Sequence, residues 1–518
     1  MKKKKSNIEF SSIFIKKIQR SFSSRSALIL VVILTLAIII RLIFFIGLNW
    51  SDDVNYVHLA DQIIKGTYRP SYVNSLRLMM IFPLALCFKL FGVSQASAAL
   101  YPFLLSLGNI IIIFFISRLL FNEKVGIIAT LVLAFFPLDV NYATWIMGDV
   151  PLAFYTSLSA YFFIRAEFKE KRINRKRLFF FLSGIFVGFA YSLKFFGLLI
   201  FIFFASYFII KGVIKKKLEL NAIFIFFGYL LFFIAEGLFY YISTGDFLLQ
   251  VHSGFSYFAQ KERLKYEFVT DFHFYPMVMF NLDYNYRPMW NNKYTYFGFF
   301  YYFVVISIIF IILKKIKKAY IIILWFVSIF LYMQFGTMSI TEYIPMHRLD
   351  RHLTTIEVPS IILFSIFIYY LGKNKLGKIV SSVIVFALIV SFLIYIKHIH
   401  YMQKGAVEDT IRIFEFLKDQ PKKVVYSDYG TIGHLMFYFQ FKRNEDFRAL
   451  DYVRCEDIKD AYVIINATRG WIEFWPMFQS YPSCVFNPPE DWQLIAVIKS
   501  NFSEYPYNLF DPKIYYAP

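Results

Sequence analysis

Residues 27–397 alternate between long apolar runs and short polar stretches. Runs of about 18 residues or more can cross a roughly 30 Å hydrocarbon core as helices. By that measure residues 27–47, 97–119, 125–142, 150–165, 178–193, 195–210 and 221–242 are expected spans. Residues 296–313, 319–336, 353–371 and 379–397 follow, so the pattern predicts about eleven transmembrane helices. From about residue 398 the composition becomes mixed, with Gly, Pro and charges. There residues 407–417 and 431–441 have helical spacing, while 423–426 and 461–465 read as short buried strands. The fold class is therefore an α-helical polytopic membrane protein with a small C-terminal α/β domain over 398–518.

Composition agrees. The chain has 518 residues, 58% of them hydrophobic and 17% charged, whereas soluble domains are about half apolar and a quarter charged. The net charge of +20 would suggest a nucleic-acid partner in a soluble protein. Here the basic residues sit in short clusters between apolar runs, which marks the cytoplasmic side of a membrane protein, and no nucleic-acid partner is expected. The N-terminal tail, residues 1–26, carries Lys2, Lys3, Lys4, Lys5, Lys16, Lys17, Arg20 and Arg25, and reads as cytoplasmic. No small-residue cleavage site follows the first apolar run, so that helix is expected to stay as an anchor.

Residues 76–92 are apolar but short, and contain Arg77, Pro83 and Lys89. If they do not span, the basic clusters at 169–177, 211–217, 314–318 and 373–378 all fall inside. If they do, all four flip outside. The positive-inside rule selects the first arrangement, with 76–92 on or dipping into the outer surface. The outer loops are then 48–96, 147–149, 243–295 and 337–352, and the C-terminal segment is extracytoplasmic. The location is the plasma membrane. Cys455 and Cys484 could pair if the tail lies outside, although spacing alone fixes no connectivity; Cys87 lies in an apolar segment.

Candidate chemistry gathers on the outer side. Asp52 and Asp53 follow the first span, in Ser51-Asp52-Asp53-Val54-Asn55-Tyr56. Adjacent carboxylates at a membrane surface can bind a divalent cation or act as a general base; capping of a helix by Asp explains them equally well. Asp149 precedes Pro151 at the start of a span, a good capping position, and topology puts it on the same side as Asp52 and Asp53. Lys194 lies between two apolar runs at their outer end. It and Arg351 read either as snorkelling cations or as partners for a phosphate. Arg41, inside the first span, reads as a snorkelling or helix-packing residue. In the 243–295 loop His252, Asp271, His273 and Asp283 stand among aromatics, and His273 could complete a metal site. Asn466-Ala467-Thr468 and Asn501-Phe502-Ser503 match the glycosylation sequon, as chance alone allows.

Taken in order, these segments resemble the GT-C superfamily of lipid-phosphate-dependent glycosyltransferases, nearest to the family-39-like branch of protein O-mannosyltransferases and the lipid A aminoarabinose transferase. The D-[DE]-x-x-Y pattern is matched by Asp52-Asp53-Val54-Asn55-Tyr56. K-L-F-G is matched by Lys89-Leu90-Phe91-Gly92, and the second acid by Thr144 and Asp149-Val150-Pro151-Leu152-Ala153. Gly184, Gly188, Ala190 and Lys194 match G-x-x-x-G-x-A-x-x-x-K, and Arg351-His352-Leu353 with Pro359 matches R-[YH]-L-x-x-x-x-P roughly. The resemblance covers about residues 27–372.

It implies a GT-C fold and transfer of a sugar, with inversion, from a polyprenyl-phosphate donor to a lipid, protein or glycan acceptor at the extracytoplasmic face. Asp52 would be the base, and Asp149 with Asp53 would orient the acceptor or hold a divalent cation. Lys194 and Arg351 would bind the phosphate, and Tyr56 and Arg77 are counted with the substrate-binding residues. The chain departs from the family at Leu76-Arg77-Leu78, where many members have His-Pro-Pro, and it lacks the W-W-D signature of oligosaccharyltransferases. A transporter of lipid-linked sugars is the alternative. It would be expected to show repeated halves and acids near mid-membrane; the acids singled out here lie at helix ends on one side instead, and no repeated half is seen.

Overall fold

The computed structural model describes residues 24–216, 219–258, 272–280, 282, 297–339, 341–451, 453–466, 482–499 and 511–518. Helix α1 is Ser24–Ile43. Two short helices follow, α2 (Asp52–Lys65) and α3 (Leu78–Phe91), with a 3-10 turn at Val73–Leu76 between them. Then come α4 (Gln95–Leu120), α5 (Glu123–Ala134), α6 (Pro137–Tyr142), α7 (Asp149–Phe168) and α8 (Ile173–Leu193). Ser94 and Asn122 start α4 and α5 by accepting the amides of Ser97 and Val125, each at 3.1 Å, which satisfies donors that a helix start leaves free. The bundle continues with α9 (Leu199–Lys215), α10 (Ile223–Thr244), α11 (Leu249–Phe258), α12 (Phe274–Phe280), α13 (Phe300–Leu313), α14 (Tyr320–Phe335) and α15 (Thr354–Leu371).

Among the described residues eight helices are long and apolar enough to cross a membrane: α1, α4, α8, α9, α10, α14, α15 with its preceding turn, and the first part of the next helix. The chain is a multi-pass membrane protein. Three further expected spans are helical but differ. The 125–142 run is cut in two, because Pro137 cannot continue α5 and instead begins α6. The 150–165 run becomes the 20-residue α7, and the 296–313 run yields the 14-residue α13. Helix α3 is 14 residues long and leaves Leu86, Leu90 and Phe91 exposed. Helix α15 forms the centre. Its apolar window is 83% buried, against 22% for α10, so α10 is a peripheral helix with an apolar outer face.

Helix α16 runs unbroken over Lys375–Leu417, 43 residues, across the position where the composition changes. Beyond it lies the expected α/β unit: strands β1 (Val424–Ser427), β2 (Phe447–Ala449), β3 (Ala461–Ile465), β4 (Gln493–Val497) and β5 (Lys513–Ala517), with helix α17 (Tyr429–Tyr438) after β1. The sheet order is β2-β1-β3-β5-β4. The first three strands are parallel, and β5 is antiparallel to both β3 and β4. Ile413 and Leu417 at the end of α16 share a core with Val425, Ile432, Leu435 and Ile464, so the long helix is itself part of the sheet unit.

The opposite face packs Leu450, Ile458, Val463, Cys484 and Trp492. Cys455 and Cys484 are disulfide-bonded, with Cα atoms 5.8 Å apart. Replacing both by Ser is expected to remove about 2–4 kcal/mol from the stability of this unit. Thermal unfolding of the purified protein checks it, and an unchanged midpoint would show that the sheet does not depend on the bridge.

Candidate active site

Asp52 begins α2. Its carboxylate meets Arg77 Nη1 at 3.1 Å through Oδ2, and Asn74 Nδ2 donates to Oδ1 at 3.2 Å. The Asp52 side chain keeps 28% exposure and remains accessible. Burial pushes its pKa up, but Arg77, Arg351, Lys194 and the Asn74 bond together hold it below the ordinary carboxylate value. Arg77 also hydrogen-bonds the Tyr56 hydroxyl and lies over the Tyr56 ring. Tyr56 lies one turn after Asp52 on the same face of α2.

Asp53 points elsewhere. It is fully buried and accepts the amides of Asn49 and, at 2.9 Å, of Ser51; Trp145 Nε1 donates at 3.0 Å. Burial raises its pKa to about 7 against these three donors. The bonds tie the entry of α2 to the segment before α7. The same two segments are joined where Gly47 N donates to Thr144 O at 3.1 Å and Ile46 N to Thr144 Oγ1 at 3.0 Å. Gly47 has φ +78°, and a Cβ there would lie 2.2 Å from Gln95 Oε1, so only glycine fits.

Lys194 occupies a break between α8 and a 3-10 turn at Phe195–Leu198, with extended backbone at φ −158° and ψ 147°. The chain turns sharply there because Gly197 presses on the preceding helix; a Cβ would lie 2.3 Å from the carbonyl carbon of Ala190. Lys194 Nζ pairs with Asp149 Oδ1 at 2.6 Å, and both side chains are buried. Burial lowers the Lys194 pKa to about 8, with Asp149 opposing. Among the described residues Asp149 Oδ2 has no hydrogen-bond partner, and neither has the buried Nε of Arg351, in the 3-10 turn that begins α15.

These groups surround one open cavity. Asp52, Arg77, Lys194 and Arg351 all line it, with Gln250 and His352. The sequence-derived residues Asp53 and Asp149 do not line it; Asp149 holds the lining Lys194, Asp53 ties down the loop before α2, and Tyr56 touches the lining Arg77. His273 is exposed. The anticipated metal set Asp53, Asp149 and His273 does not assemble, because among the described residues no three His, Cys, Asp or Glu side chains form a metal-holding group. Asp53 accepts from three donors, and Asp149 pairs with Lys194 through one oxygen. Asp271 and Asp283 lie outside the described residues.

Of the two readings of Arg41, snorkelling or helix packing, the structure bears out the second. It does not snorkel; it is fully buried, with Nη2 at 2.5 Å from Asp139 Oδ1, Nε donating to Ser106 Oγ at 2.7 Å and Nη1 to Ala134 O at 3.1 Å. Asp139 was missed because the Pro137 break that places it was read as a continuous span. Asn74, in the 3-10 turn before α3, and Gln250, in α11, were also missed, since a lone amide side chain gives no periodic signal.

A helical membrane bundle with a pair of short helices, a cavity lined by cationic side chains and a small sheet unit is the fold this chain shares with the solved structures below. Residues 77–239 match the family model described as dolichyl-phosphate-mannose-protein mannosyltransferase. The match takes in Arg77, Asp149 and Lys194 and leaves Asp52 and Arg351 outside. No curated protein matches the sequence. Among solved structures, ArnT from Cupriavidus metallidurans in the apo state is 12% identical with a TM-score of 0.62, over 95% of this chain and 98% of that one. Its complex with undecaprenyl phosphate gives a TM-score of 0.61 at 12% identity, over 93% and 97%. The archaeal oligosaccharyltransferase AglB from Archaeoglobus fulgidus, with an inhibitory peptide and a dolichol-phosphate, is 13% identical with a TM-score of 0.52, over 80% and 64%. The GT-C resemblance read from the motifs is borne out.

Proposed function

We propose that the chain transfers a sugar from a polyprenyl-phosphate donor to an acceptor hydroxyl at the extracytoplasmic face, with inversion. One observation carries this: among the described residues one carboxylate, Asp52, lines a cavity with three cationic side chains, Arg77, Lys194 and Arg351. Among those residues the buried Arg351 Nε meets no acceptor, and a phosphate oxygen would satisfy it. Undecaprenyl phosphate in ArnT and dolichol-phosphate in AglB, both proteins of this fold, support a lipid phosphate as the anion.

The acceptor O–H loses its proton to Asp52 as its oxygen bonds the anomeric carbon. The bond from that carbon to the phosphate oxygen breaks, and the leaving phosphate takes the electron pair. Lys194, Arg351 and Arg77 neutralise it. In the free protein Arg77 holds Asp52 ionised and weakly basic; a donor phosphate that draws Arg77 away raises the basicity of Asp52 as the substrate arrives. Asp149 orients Lys194, and Asp53 fixes the loop that delivers Asp52. No step requires a metal. Basic clusters at the ends of the helices remote from this cavity, such as 314–318 and 373–378, support a cavity on the outer face, with the N-terminus inside and the sheet unit outside.

The test is a comparison of envelope glycans from cells with and without the protein. A sugar lost from a lipid, protein or wall polymer and restored by the wild-type chain is the expected result. Identical glycans, with lipid-linked sugar accumulating on the inner leaflet, would point to transport instead.

A further inference from the structure

Helix α10 carries one carboxylate, Glu236, near the end that adjoins the cavity, and it is 5% exposed. An ionisable residue in a spanning helix marks a functional site by default, yet Glu236 does not line the cavity. Ser192 Oγ donates to Glu236 Oε1. A hydroxyl has one proton, so this bond turns the Ser192 lone pairs toward the Met79 amide, which donates to Oγ at 3.4 Å. Met79 lies in the first turn of α3, where helix amides have no partner of their own, and Arg77 at the cap supplies none from its side chain. One turn after Glu236, the buried Tyr240 donates its O–H to Leu76 O at 2.8 Å.

Arg77 is therefore bracketed. The residue before it is held by Tyr240 and the second residue after it by Ser192 under Glu236. We infer that Glu236 and Tyr240 are positioning residues that aim Arg77 at the phosphate of a polyprenyl-phosphate, by clamping the Leu76–Met79 backbone from one face of α10. This rests on the lipid-phosphate reading above. It also gives a reason for a carboxylate that neither the motifs nor the cavity account for.

The experiment measures the affinity of undecaprenyl phosphate for the purified full chain in detergent. Glu236→Ala and Tyr240→Phe are each expected to weaken binding by about 3–10-fold, the effect of one lost buried hydrogen bond. Glu236→Gln keeps an acceptor oxygen for Ser192 and is expected to stay within about two-fold of wild type. Because the effect runs through Arg77, the double variant Glu236→Ala/Arg77→Ala is expected to bind no worse than Arg77→Ala alone. A purely structural role would not produce that non-additivity. Full additivity, or wild-type binding by Glu236→Ala while Arg77→Ala is impaired, overturns this inference and leaves the proposed function standing. Wild-type binding by Arg77→Ala and Lys194→Ala together overturns both. If Glu236→Ala does not fold, Tyr240→Phe, which keeps the ring packing, decides by the same comparison in the Arg77→Ala background.

Discussion

Asp52→Asn is expected to lower the turnover of sugar transfer by about 10²–10⁴-fold, the range that a general base contributes. Asparagine keeps the size of the side chain and can still accept from Asn74, so α2 should fold unchanged. It cannot take the acceptor proton. The same substitution should strengthen undecaprenyl phosphate binding, because it removes the carboxylate that competes for Arg77 and the negative charge that faces the phosphate. Turnover falling while lipid affinity rises is a pairing that general damage to the site would not give. Full turnover in the variant would remove Asp52 as the base.

The second large effect lies away from the chemistry. Arg41→Met should destabilise the protein by about 3–5 kcal/mol, the cost of leaving one member of a buried ion pair alone. Among the described residues Asp139 would keep hydrogen bonds from Ser106 and Asn109 alone, in a helical bundle where buried polar groups must be satisfied internally. The C-terminal carbonyl of α5 at Ala134 would also lose its donor. Arg41→Met/Asp139→Asn should recover most of the loss, because the stranded charge goes with it. Thermal midpoints in detergent compare the two. Equal loss in both would mean that Arg41 acts through packing alone.

The membrane spans were legible because a 30 Å apolar core imposes length and composition on every helix that crosses it. The sheet unit was legible at β3, where five apolar residues end at a polar boundary. The break at Phe135–Phe136 was not, since apolar runs continue on both sides and only Pro137 marks it. Of the site, the sequence showed which residues share a side but not which way each points. Adjacent residues on a helix lie about 100° apart, so Asp52 and Asp53 part company: one opens to the cavity and the other turns to Trp145 and the loop amides. Glu236 lay in a run read only for its hydrophobicity, and its meaning depends on Met79 and Ser192, which are distant in sequence.

The unbroken α16 has a mechanical consequence. At 1.5 Å per residue its 43 residues extend about 65 Å, roughly twice the hydrocarbon thickness. The sheet unit is thus mounted on a stiff mast stepped in the bilayer, and Gln403 on that mast bonds Asn49 beside Asp52 at 2.6 Å. Tyr429 of α17 bonds Asn55 at 3.1 Å, and the Trp50 ring packs at a tilt against His434. The sheet unit is therefore braced against the start of the helix that carries Asp52. In the proposed reaction, a brace of this kind would fix how far an acceptor hydroxyl must reach to meet Asp52.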